Sequence, residues 1–140
     1  MSREESELDA DERVSLVRRL IEAWNANDWD ALESVWHPEG KIVAPEGWPE
    51  SGEFTGWAAI RDQFARLKDP WTTERGELNS IELAGERVLA NFRWVGEGEA
   101  SGARLDADIW MLCEFRDQLI SGVRYFTDEA EARVAVREDG

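Results

Sequence analysis

Between Arg104 and Phe115 the chain alternates without a break. Leu105, Ala107, Ile109, Met111, Cys113 and Phe115 form an apolar row, with Arg104, Asp106, Asp108, Trp110, Leu112 and Glu114 between them. Period two over this length fits a strand, and an unbroken apolar row requires a core on one side. The opposite row is polar but not purely so, because it carries Trp110 and Leu112. Three further stretches behave as strands: "ELNSIEL", "RVLANFRWV" and "LISGVRYF". The breaks "AGE", "GEGEASG" and "RDQ" separate the four, and such short connections make neighbours antiparallel. Within "RVLANFRWV" the core row is Val88, Ala90, Phe92 and Trp94, which sends Arg93 outward.

Ahead of this meander the period is helical. Val14, Val17, Leu20, Ile21 and Trp24 share one face of a helix spanning Asp9 to Asn27. Asn27 or Asp28 can cap a shorter helix in which Trp29, Leu32, Val35 and Trp36 form a stripe, ended by Pro38 and Gly40. "KIVA" reads as a short strand. The stretch "APEGWPESGEFTGWAAI" follows, too broken by proline and glycine for a regular element until a third helix begins after Gly56. That helix carries Trp57, Ile60, Phe64 and Leu67 on one stripe and stops at Pro70. Asp128 with Glu131 resembles a capping pair for a final helix through Val136. Helices gathered on an antiparallel sheet make a single α+β domain over residues 1–140, with residues 1–9 expected to be flexible and 137–140 a tail.

Composition narrows the function. A net charge of −15 without clustered Lys or Arg argues against nucleic acid and anionic membranes as partners. No apolar run approaches the ~18 residues of a membrane span. The acidic start "MSREESELDADER" lacks the pattern of a signal peptide, so a cytoplasmic location is expected. One cysteine, Cys113, and one histidine, His37, leave no disulfide and no Cys- or His-based metal site. A carboxylate site for a hard cation stays open on composition alone. No metal and no cofactor are expected. The acid excess with only Lys41 and Lys68 as lysines fits a salt-adapted host or, more simply, ordinary solubility charge.

The order and spacing of "LIEAWNANDWDALESVWHPEGKIVAPEGWPESGEFTGWAAIRDQF" and the later "FRDQLISGVRYFTDEAEA" resemble the SnoaL-like branch of the nuclear transport factor 2-like superfamily. The resemblance runs from about Val14 to Val136. It implies a curved antiparallel sheet wrapped around three N-terminal helices, a cone with an apolar pocket, and a homodimer formed through the outer sheet face. It also places Trp48 at the open end of the cone, either as a lid over a pocket or as a plug of the core.

The catalytic patterns of the superfamily do not carry over. Ketosteroid isomerases use a tyrosine, a carboxylate base and a protonated aspartic acid; the matching positions are Leu20, Ala44 and Met111. The acid/base aspartate and the histidine of polyketide cyclases fall at Tyr125 and Met111. The Asp–Arg–Asp set of limonene-epoxide-hydrolase-like members retains only the arginine, at Arg93, with Val95 and Tyr125 at the aspartate positions. His37 suits acid–base work by its ordinary pKa, yet in "WHPEG" a structural role is simpler. Asp106 and Asp108 oppose the apolar row and face outward.

The pocket candidates are therefore Trp24, Trp36, Trp48, Phe64, Ile109, Met111 and Tyr125, with His37 and Arg93 as polar candidates. The expected function is binding or transforming a small apolar metabolite, by cofactor-free isomerase, cyclase or hydrolase chemistry if catalytic. The alternative is a non-catalytic dimerisation or protein-binding domain whose cone is filled by its own side chains.

Overall fold

The computed structural model describes residues 8–45, 51–98 and 102–139. Helix α1 (Ala10–Ala26) begins on a reciprocal cap: the Asp9 carboxylate accepts from the Glu12 N–H at 2.8 Å, and Glu12 accepts from the Asp9 N–H at 2.9 Å. This satisfies two donors that a helix start leaves orphaned. Asn27 closes the helix in the left-handed conformation, φ 55°. Asp28 then caps α2 (Trp29–Val35) by accepting from the Ala31 N–H.

β1 (Trp36–Ala44) starts five residues earlier than the "KIVA" strand, so Trp36 belongs to the sheet and not to the second helix. The register shifts between Trp36 and Lys41. Pro38 lacks the N–H a ladder needs, and a Cβ at Gly40 would lie 3.0 Å from the His37 carbonyl oxygen. The bulge lets the strand cross these two residues. β2 (Gly52–Thr55) is a strand inside the segment that the sequence left irregular, and it pairs antiparallel with β1. The four remaining strands and α3 (Trp57–Lys68) follow the expected order: β3 (Trp71–Ala84), β4 (Arg87–Gly98), β5 (Arg104–Arg116) and β6 (Leu119–Phe126). β3 opens at Trp71, six residues before the "ELNSIEL" stretch read from the sequence. The β5–β6 connection is the pair Asp117 and Gln118, φ 54° and 66°, the geometry that joins twisted strands without splaying them.

The sheet order is β2-β1-β6-β5-β4-β3. Its β1–β6 pair is parallel, which corrects the all-antiparallel expectation. Short breaks dictate antiparallel pairing only between consecutive strands. β1 and β6 are separated by most of the chain, so their relative direction is not set locally. On the concave face, the apolar rows of β4 and β5 join residues of α1, α2 and α3 in one buried cluster.

The convex face carries a second, smaller cluster. Leu89, Trp110 and Leu112 are covered by Ala132 and Ala135 of α4 (Glu129–Asp139). Trp110 is 8% exposed, with the Arg133 guanidinium 5.5 Å from its ring centroid. The chain's own C-terminal helix thus covers the aromatic of the outer row. No helix among the described residues is long and apolar enough to cross a membrane.

Candidate functional site

Where the inner face of the sheet meets α1 and α3, the packing leaves an apolar cavity of about 50 Å³. Leu20, Ile21 and Trp24 come from α1, spaced so that one helical face carries all three. Phe64 and Leu67 come from α3 by the same spacing. The sheet contributes alternate residues of neighbouring strands: Phe92 and Trp94, Ile109 and Met111, and Tyr125. Trp24 packs edge-to-face on Phe64 at 5.1 Å and on Trp94 at 6.1 Å.

Five of the candidates read from sequence thus meet on one wall: Trp24, Phe64, Ile109, Met111 and Tyr125. Trp36 lies one layer away. It packs on Phe64 at 6.2 Å, and its buried indole N–H has no hydrogen-bond partner. Trp48 lies outside the described residues. His37 does not line the cavity. Its Nδ1 accepts from the Glu39 N–H at 3.0 Å and its Nε2 stands 3.1 Å from Asp117, so it ties the start of β1 to the β5–β6 turn. Arg93 points outward, as strand alternation requires, and its guanidinium donates twice to Asp106, at 2.7 Å each. Asp108 accepts from Asn91 on the same outer face.

The residues that sequence reasoning missed are Glu74 and Lys68. Glu74 is buried, its side chain 6% exposed. Its Oε1 accepts from the indole N–H of Trp24 at 2.7 Å and of Trp94 at 2.8 Å; its Oε2 accepts from Lys68 Nζ at 2.6 Å. Lys68 also donates to the Trp24 carbonyl oxygen at 2.9 Å and sits 3.9 Å from the Trp24 ring centroid. Burial pushes the Lys68 ammonium below its ordinary pKa, while the hydrogen bond and charge of Glu74 oppose that shift. The only available signal was that Lys68 is one of two lysines in a chain that otherwise uses arginine.

The chemistry on offer is limited. Burial pushes the Tyr125 phenol up, with Cys113 adding to the effect, so Tyr125 is a neutral hydroxyl and not a base. Burial likewise pushes the Cys113 thiol up, removing the thiolate a nucleophile needs. The Glu74 carboxylate already holds three donors. Leu20 and Met111, the positions matching the isomerase oxyanion donors, are on the cavity wall and apolar. Among the described residues no group of three His, Cys, Asp or Glu side chains is placed to hold a metal ion.

The family model for the SnoaL-like domain matches residues 17–123. No curated protein matches the chain. Among solved structures, Bal32a, from a soil-derived mobile gene cassette, is similar at 24% identity and a TM-score of 0.76, over 84% of this chain and 89% of its own. TerC, co-crystallised with polyporic acid, is similar at 17% identity and a TM-score of 0.74, over 90% and 98%. A protein of ketosteroid isomerase-like fold from Catenulispora acidiphila, in complex with trimethylamine, shares 17% identity at a TM-score of 0.69, over 79% and 83%.

Proposed function

The chain belongs to the SnoaL-like domain family, and on that premise we propose that it binds a small apolar molecule in the cavity between α1, α3 and the sheet. The observation that carries this reading is a wall built almost wholly of aliphatic and aromatic side chains, Tyr125 among them. Pockets of this character, apolar with few polar groups, are the usual small-molecule sites. Polyporic acid in TerC and trimethylamine in the Catenulispora protein are small molecules bound by related folds and support a small-molecule occupant.

Size sharpens the reading. A cavity of about 50 Å³ is about a third of the ~150 Å³ that holds benzene, so it takes only a small occupant. A polyketide-sized ligand requires the wall to move. With Glu74 outside the lining and its carboxylate occupied, and no carboxylate, histidine or lysine on the wall, binding is favoured over acid–base catalysis. The same narrowness favours the second reading, a cone filled by its own side chains that serves a protein partner. A homodimer through the outer sheet face is compatible with both; it would use the strip beyond α4 that carries Arg93 and Asp106.

Thermal shift and tryptophan quenching against small amines, aromatic acids, terpenoid epoxides, steroids and planar polyketides test the proposal. A ligand at 100 times its Kd stabilises the fold by about 2.7 kcal/mol. Met111→Phe, which fills the cavity, should abolish that shift. Stabilisation that survives Met111→Phe, or none with any class, refutes binding in this cavity and leaves the filled cone.

A further inference from the structure

The polar cluster beside the cavity connects three elements that meet nowhere else in this way. Helix α1 ends at Ala26 with no basic residue in its last turn, and helix ends leave carbonyl groups without intrahelical partners. The missing cation comes from the last turn of α3, where Lys68 donates to the Trp24 carbonyl oxygen. One residue on, the Asn25 side-chain amide donates to the Gly76 carbonyl oxygen at 2.9 Å and accepts from the Gly76 N–H at 2.8 Å, as an additional strand residue would. Two residues before Gly76, on the same face of β3, stands Glu74. A single oxygen of its carboxylate holds the N–H groups of Trp24 and Trp94, one from each side of the cavity.

An indole held by its N–H cannot turn without breaking that bond, and here both bonds end on one atom. The two rings, edge-to-face at 6.1 Å between centroids, are thus tied to one carboxylate as well as to each other, and Glu74 is itself held by Lys68. We propose that Glu74 is a positioning residue that fixes the size limit of the cavity: with the clamp closed the cavity admits only ligands of a few heavy atoms, and release of the two indoles opens it to ring-sized molecules. This rests on the pocket reading above. It adds which residues decide what the pocket accepts.

The consequence is a population effect. Benzene is accommodated by dry apolar cavities of about 150 Å³, three times the volume present here, so it binds only the unclamped form. Its apparent affinity is reduced by the fraction of molecules in that form. Xenon, a single atom, fits the clamped cavity. The experiment titrates xenon and benzene into the wild type, Glu74→Leu, and the uncharged double variant Lys68→Met/Glu74→Leu. The Met111 methyl resonance, on the cavity wall, reads occupancy. The double variant covers the case in which Glu74→Leu, leaving the Lys68 ammonium without its carboxylate, fails to fold.

The expected result is at least about a tenfold gain in benzene affinity in a folded variant, with xenon affinity unchanged within about threefold. A clamp that serves stability alone would lower the unfolding midpoint and leave the ratio of the two affinities where it was; that outcome overturns the proposal. If neither gas nor benzene shifts Met111 in any of the proteins, the pocket reading itself fails and the clamp proposal with it. The two failures are thus distinguishable.

Discussion

Lys68→Met separates a buried ion pair from the packing of the chain that carries it, because methionine retains most of the apolar stem. Lys68 and Glu74 side chains are 11% and 6% exposed, and Nζ lies 2.6 Å from Oε2. At an effective dielectric of ~20 the attraction at that distance is roughly 6 kcal/mol. Desolvating the two ions costs several kcal/mol each, so the intact pair contributes little net stability. Breaking it is a different matter, since Glu74 stays buried with its charge uncompensated. The expected loss is about 3–5 kcal/mol, or roughly 10–15 °C in Tm for a chain of this size. Lys68→Met/Glu74→Gln removes both charges and keeps an oxygen for the indoles, so it should return to within about 1 kcal/mol of the wild type. Urea unfolding followed by far-ultraviolet circular dichroism is the assay, because Trp24 and Trp94 are themselves disturbed. A single variant within about 1 kcal/mol of the wild type, or a double variant no more stable than the single, would refute this account of the pair.

Met111→Ala, at a residue 2% exposed on the cavity wall, should cost about 2–5 kcal/mol in the same assay. Trp110→Ala removes the floor beneath α4; it should cost about 3–5 kcal/mol, with hydrogen exchange accelerating in α4 before α1. Hydrogen bonds from Arg133 hold the Glu82 carboxyl below its ordinary value of 4.5 against the opposing effect of burial. A depressed folded-state pKa gives stability that is present above pH 4.5 and lost as pH falls through the folded value. Protection of α4 amides should therefore fall with acidification below pH 4.5, and Glu82→Gln should flatten that dependence.

Much of the architecture was legible before any coordinates. The span of α1, the α2 cap at Asp28 and the alternation of β5 depend on residues a few positions apart, and each appears where the chain places it. β6 matches "LISGVRYF" end to end. The same logic placed Trp24, Phe64, Ile109 and Met111 on inward rows, while the family resemblance pointed to Tyr125, and all five line the cavity. β2 was missed because its four residues are too few to show a period, and they follow a run of proline and glycine. Trp36 was assigned to the wrong element because a tryptophan one residue past a helix stripe looks like its continuation.

What the sequence determined by itself was local: which segments are helix or strand, and which face of each is apolar. Tertiary structure alone decided the parallel β1–β6 pair, the cover that α4 lays on Trp110, and the meeting of Lys68 with Glu74 and two indoles. Periodicity reports whether a side chain points toward the core. It carries nothing about which distant side chain waits there, and a buried charge is tolerable only when that partner arrives.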